Sequence, residues 1–231
     1  MGFFIENKII MRNVAILVDG GFYLKLCKEK SDAKKVVKGL TTHCLKHICN
    51  PSKSDDKYIT EPERLYRIFF YDCPPITKKL HHPITRKAVD LKKSTTALFR
   101  QDLHNQLRNT RNFVLRLGFL DEKNARWTLK DPELSKNLIS GRITHTDVIE
   151  SDVIYHAQQK SVDMKIGLDI ASMAYKKQVN KIILISGDSD FVPAAKLARR
   201  EGIEFILDSM NTTIKPDLQE HIDDLNTALP K

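Results

Sequence analysis

Five short apolar runs punctuate the chain, and most are closed by residues that turn the backbone. Val14 to Val18 ends at Asp19-Gly20-Gly21, and Leu65 to Tyr71 ends before Pro74 and Pro75. NFVLRLGFL spans Asn112 to Leu120, KIILIS spans Lys181 to Ser186, and IEFIL spans Ile203 to Leu207. Continuous runs of this length suit strands buried on both faces of a parallel sheet. Between them the spacing turns helical. Phe22 to Lys30 reads as a helix start, and Leu40 to Ile48 as a helical stretch. Ile166, Ile170, Met173 and Ala174 share one face of a helix over Asp163–Lys177, and a helix from about Phe191 to Arg200 is stopped by Gly202. This alternation predicts a parallel α/β sheet with right-handed crossovers. Thr77 to Thr110 reads as helical or irregular and strongly basic. Residues 121–147, with Trp127 and Pro132, read as a polar hairpin or loop.

At 231 residues the chain suits one large domain with insertions. Residues 1–11 read as a lead-in and 12–225 as the domain. The Lys-rich, polar stretch at about 31–60, with its turn-like NPSKSDD, reads as an insertion. Apolar residues at 41% allow a sizeable core, and 29% charged residues argue against wholesale disorder. No run approaches the ~18 apolar residues of a membrane span. MGFFIENKII is a poor signal peptide, and Glu6 stands where a myristoylation signal needs Ser or Thr. Four cysteines in a chain this long do not form a disulfide framework, so a reducing cytoplasm is the expected location. The net charge of +9 and pI near 9.3 fit a polyanionic partner such as nucleic acid.

Two predicted strands run directly into carboxylates. Asp19 ends the first, and Gly187-Asp188-Ser189-Asp190 follows the fourth. In open parallel sheets ligands bind outside the carboxyl ends of the strands, so both sets fall on the same edge. Asp163 opens the helix before the fourth strand, and it is expected to join them only if a long loop brings it there. Converging carboxylates repel one another and need a counter-cation or raised pKa values at neutral pH. Oxygen-only ligands favour Mg²⁺ or Mn²⁺, whose bound water can attack a phosphate. Each residue also has a plainer reading. Asp188 and Asp190 could cap a helix, Asp19 could serve the turn before Gly20, and Asp163 could complement a helix dipole.

VDGGF at 18–22, VDMKIGLDIASMA at 162–174 and LISGDSDFVPAAKLARREG at 184–202 resemble the NYN domain, in particular its LabA-like branch. YDCPP at 71–75 and FVLRLGFL at 113–120 look like that family's second and third strands, so the resemblance covers roughly 12–225. It implies a Rossmann-like (PIN-like) parallel sheet sandwiched between helices, and Mg²⁺- or Mn²⁺-dependent endoribonuclease activity on single-stranded RNA. It places the acidic site at Asp19, Asp163, Asp188 and Asp190. Asp169 matches a further acidic position, but it lies about 120° round the helix from Asp163. Ser186 and Ser189 become accessory groups for a phosphate or a metal water. The family often has glycine where this chain has Ser161, and many relatives have Asn where it has Phe22. Two other readings stay open: a non-catalytic RNA-binding or regulatory module, and a phosphatase acting on a small ligand.

Lys78, Lys79, Arg86, Lys87, Lys92 and Lys93 form a basic stretch suited to an RNA backbone, or to a solvated loop. Tyr71 could stack a base, though strand aromatics more often pack in the core. His43, Cys44, His47 and Cys49 are close in sequence, but one helix cannot aim all four at a zinc ion. Homo-oligomerisation is left open by the sequence.

Overall fold

The computed structural model describes residues 11–27, 31–48 and 62–227. Most of the expected lead-in, part of the expected insertion, and Cys49 lie outside them. In chain order the elements are β1 (Arg12–Asp19), α1 (Gly20–Leu26), α2 (Ala33–Lys46), β2 (Glu63–Asp72), β3 (Lys79–His81), β4 (Ala88–Asp90), α3 (Thr95–Arg108) and β5 (Phe113–Leu117). Then follow β6 (Phe119–Leu120), β7 (Arg126–Leu129), α4 (Pro132–Ile139), β8 (Val153–His156), β9 (Gln159–Lys160) and α5 (Val162–Tyr175). The chain closes with β10 (Lys181–Ile185), α6 (Val192–Arg200), β11 (Glu204–Asp208), α7 (Pro216–Gln219) and β12 (Asp224–Leu225).

The central sheet has six strands in the order β12-β11-β10-β1-β2-β5, all parallel. Its central strands carry continuous apolar runs because each face there meets a different helical layer. On β1, Ala15 and Leu17 pack with Ile166, Ile170, Ala195 and Ala198 of α5 and α6. Val14, Ile16 and Val18 face the other way, onto Leu24, Val36, Leu40, Leu103 and Leu107 of α1, α2 and α3. Both sets are buried, so neither face of the strand can be polar. The helix α2 begins earlier than its apolar spacing suggested. Asp32 caps it by accepting from the backbone N–H groups of Lys34 and Lys35.

Three segments depart from the sequence reading. The run Asn112–Leu120 is not one strand, because it leaves the sheet at Gly118. There β6 turns to pair antiparallel with β9. A Cβ at Gly118 would lie 2.5 Å from the Lys160 carbonyl oxygen, so only glycine admits this crossing. The stretch after Thr77 contains a β3–β4 hairpin before α3. Residues 121–147 do not form a hairpin among themselves: β7 pairs with β8 further along, and α4 starts at Pro132 under an Asp131 cap. These partners are non-local, so a local pattern could not reveal them.

Candidate metal centre

The strand order reverses between β1 and β10: the chain moves outward from β1 to β2 on one side and resumes at β10 on the other. Such a switch point opens a crevice at the carboxyl ends of the two strands. Asp19 is the last residue of β1, and Ser186 follows the last residue of β10. The buried Ser186 hydroxyl joins the two strand ends. Its Oγ lies 3.5 Å from Asp19 Oδ2 and accepts the Asp188 N–H at 3.3 Å.

The capping readings of Asp19 and Asp188 hold and coexist with this placement. Asp19 Oδ1 accepts the Phe22 N–H at 3.0 Å at the start of α1. Asp188 Oδ1 accepts the Asp190 N–H at 3.0 Å and caps a single 3-10 turn, Ser189–Phe191. Asp190 caps nothing; Phe191 takes the cap position of α6 without a side-chain bond. Each backbone bond fixes one carboxylate oxygen, and the second oxygen of Asp19 also meets the Ser186 hydroxyl.

Asp163 reaches the same edge without the long loop the sequence reading required. The end of α5 returns to the amino edge of the sheet, where the Asn180 N–H donates to the Asn13 carbonyl just before β10. The helix therefore runs opposite to the strands, and its first turn lies at their carboxyl ends. The carboxylates sense one another. Burial pushes the Asp19 carboxyl above its ordinary range against a backbone bond from Phe22, and the charges of Asp163 and Asp188 add to the rise. Burial likewise raises Asp163, reinforced by Asp188 and Asp190.

No three of these four bring their oxygens within 4.8 Å of one another. The donor set is all oxygen, anionic and loosely spaced. It fits a hard divalent cation that keeps part of its water shell, the usual state of Mg²⁺. Asp19, Asp188, Ser186, Ser189 and Lys215 line a cleft of about 510 Å³. Phe22 forms one wall, and a Cβ at Gly187 would lie 2.8 Å from its ring. The position at which the family resemblance implies a polar Asn is an apolar wall.

Asp169 is engaged elsewhere. It accepts from the Tyr71 hydroxyl at 2.9 Å and from Arg116 Nε at 3.1 Å, on the far flank of α5. Tyr71 is fully buried, which rules out base stacking there. Of the basic residues, Lys79, Arg86, Lys87, Lys92 and Lys93 are exposed on the β3–β4 hairpin and the turn after it. Lys78 donates to the Glu122 carbonyl at 2.8 Å.

Two further acidic strand ends escaped the sequence reading. Asp72 closes β2, fully buried, and receives Arg100 and His104, the latter at 2.8 Å. Asp208 closes β11, where its Oδ2 takes Nε2 of His43 at 2.6 Å and of His47 at 2.8 Å, and its Oδ1 takes the Met210 N–H. Burial opposes its ionisation, yet the two histidine bonds hold the carboxyl well below the usual range. His43 and His47 thus clamp α2 to the sheet, and Cys44 is a buried thiol beside them. An Asp directly after an apolar run was the available signal, the same one that picked out Asp19.

Parallel strands, a switch-point crevice and clustered carboxylates define a Rossmann-like α/β protein with an acidic site. The NYN domain family model matches residues 13–225, and the chain belongs to that family. NYN domains are PIN-like, and such domains are generally nucleases. Comparison with curated proteins returns no match. Among solved structures, a protein of unknown function, VPA0982 from Vibrio parahaemolyticus RIMD 2210633, is 15% identical with a TM-score of 0.45. That comparison covers 93% of this chain and 91% of that one. Among the described residues no helix is long and apolar enough to cross a membrane.

Proposed function

We propose that this chain is a metal-dependent endoribonuclease of the LabA-like branch, hydrolysing phosphodiester bonds of single-stranded RNA in the cytoplasm. The observation that carries the reading is the meeting of Asp19 and Asp188 in one cleft at the switch point, with Asp163 close enough that burial and the neighbouring charges raise both Asp19 and Asp163. Uncompensated carboxylates in one crevice are costly without a cation, and a basic surface around an acidic crevice suits a polyanionic substrate. Asp19, Asp163 and Asp188 would hold Mg²⁺ or Mn²⁺, directly or through water. A divalent ion held there would supply charge neutralisation at the phosphate and lower the pKa of a water toward neutral pH.

The chain's own groups do the rest. Asp190 orients the attacking water for in-line approach to phosphorus, Ser189 donates to a phosphate oxygen, and the buried Ser186 hydroxyl holds Asp19 and the Asp188 backbone in place. Lys215, on the rim of the cleft, and Lys92 and Lys93 on the hairpin side steer the backbone. The products are a 5′-phosphate and a 3′-hydroxyl.

The test is cleavage of labelled single-stranded RNA with Mn²⁺, Mg²⁺ or EDTA, by the parent and by Asp188→Asn. Metal-dependent cutting that disappears in the variant supports the reading. Cutting at the parent's rate by Asp188→Asn removes it. The Phe22 wall favours a second reading, a non-catalytic RNA-binding module. Salt-sensitive RNA binding in EDTA by a folded protein that never cuts would select that one.

A further inference from the structure

A second cavity adjoins the acidic cleft. The cleft around Asp19 reaches Gly21 and Lys25, which also border a depression of about 400 Å³ floored by Thr96 and Arg100. Thr96 and Arg100 in turn border a third space of about 310 Å³. The three make one track along the carboxyl edge of the sheet.

The third space is largely apolar, as is the depression beside it. Pro74, Pro75, Leu120, Ile154 and Tyr155 make its walls apolar, and Gln159 supplies an amide with both donors and an acceptor. Gln159 also looks back toward the acidic site: its Oε1 lies 3.8 Å from where a Cβ on Gly21 would be, and Asp19 Oδ1 lies 3.4 Å from the same point. Tyr155 is held by an edge-on ladder. His82 and Trp127 have ring centroids 4.8 Å apart, and Trp127 and Tyr155 are 5.6 Å apart. His82 is buried in the β3–β4 hairpin, so the ladder ties Tyr155 to the element that carries the basic residues. Leu91 lines the same space, and Lys92 and Lys93 follow it, exposed.

We infer that this space is a base pocket, taking one nucleobase of the single-stranded RNA whose backbone crosses Asp19 and Asp188. This rests on the nuclease reading and names a subsite within it. A base has two apolar faces and a polar edge, which matches Pro and Tyr walls with the Gln159 amide and the polar groups of Ser94, Thr96 and Arg100 at the margin. The volume is at the lower end of the ~300–1,000 Å³ of small-ligand sites, enough for a ring system and too small for a helix. A positive rim next to an apolar stacking surface is the common design of single-strand binding. A pre-fixed Tyr155 loses little freedom on stacking.

The test uses full-length Asp188→Asn protein in Ca²⁺, where binding is read without cutting. Anisotropy of a labelled single-stranded RNA is compared with a set carrying one abasic residue at each position in turn. One position should weaken binding roughly tenfold or more, in the range of single base–aromatic contacts. Tyr155→Ala should weaken the intact RNA to a similar extent and abolish that positional difference, while Tyr155→Phe preserves both. If Tyr155→Ala does not fold, Ile154→Glu serves, because Ile154 is 46% exposed and its replacement puts a charge on the pocket wall without opening the core. A flat abasic profile alongside metal-dependent cutting by the parent overturns the pocket and leaves the nuclease standing. No RNA binding by any version overturns both.

Discussion

Ser161 holds a backbone conformation that its side chain does nothing to repay. It precedes α5 with φ 66° and ψ 6°, in the left-handed region, and its hydroxyl caps no helical N–H. An L residue there costs about 1–2 kcal/mol. Ser161→Gly removes that cost but frees the unfolded chain by about 0.4–1 kcal/mol. The net expectation is a stabilisation of about 0.5–1 kcal/mol. For a chain of this size that is a rise in Tm of about 2–4 °C per kcal/mol. Ser161→Ala is the control: it keeps the strain and removes no cap bond, so its effect should stay within about 0.5 kcal/mol. Urea unfolding and thermal melting in EDTA read both variants. Asp163 lies two residues on and keeps its place, so RNA cutting by Ser161→Gly should match the parent's. If Ser161→Gly melts no higher than Ser161→Ala, the left-handed backbone is not what position 161 contributes.

Three other outcomes follow from the carboxylates and the hairpin. Asp19 and Asp163 titrate higher folded than unfolded, so their ionisation costs stability that is intact below the ordinary carboxylate range and lost as pH rises through their raised pKa values. Asp163→Asn should therefore melt above the parent at pH 7 in EDTA, and the difference should vanish below about pH 4; an equal difference at both pH values refutes the repulsion. Asp208 is the opposite case, with a lowered pKa whose contribution is present above the ordinary range and lost on acidification. Asp208→Ala should cost about 3–5 kcal/mol at neutral pH by stranding His43 and His47, read by urea unfolding; a cost under about 1 kcal/mol would mean the pair finds other partners. Lys92→Glu with Lys93→Glu should lower the salt dependence of RNA binding by about 0.7 in log–log slope for each phosphate no longer neutralised. An unchanged slope would take those residues off the RNA path.

The continuous apolar runs made the parallel sheet legible. Val14–Val18 and Ile182–Ile185 can be apolar at every position only if both faces are covered, and helical layers cover them here. The helix face of Ile166, Ile170 and Met173 was equally plain, since all three are buried. The site was legible in part. An aspartate directly after a buried run marks Asp19, and it marks Asp72 and Asp208 just as well. Nothing local separates them. What does is the company each side chain meets across the fold: Arg100 neutralises Asp72 with His104 hydrogen-bonded beside it, His43 and His47 hold Asp208, and Asp19 faces Asp163 and Asp188 instead. Those partners lie far away in sequence, so their charges are brought together only when the crossovers close. The strand ends were written in local polarity; which of them keeps uncompensated charge for a cation was decided by tertiary contacts, because a buried carboxylate takes its character from its neighbours.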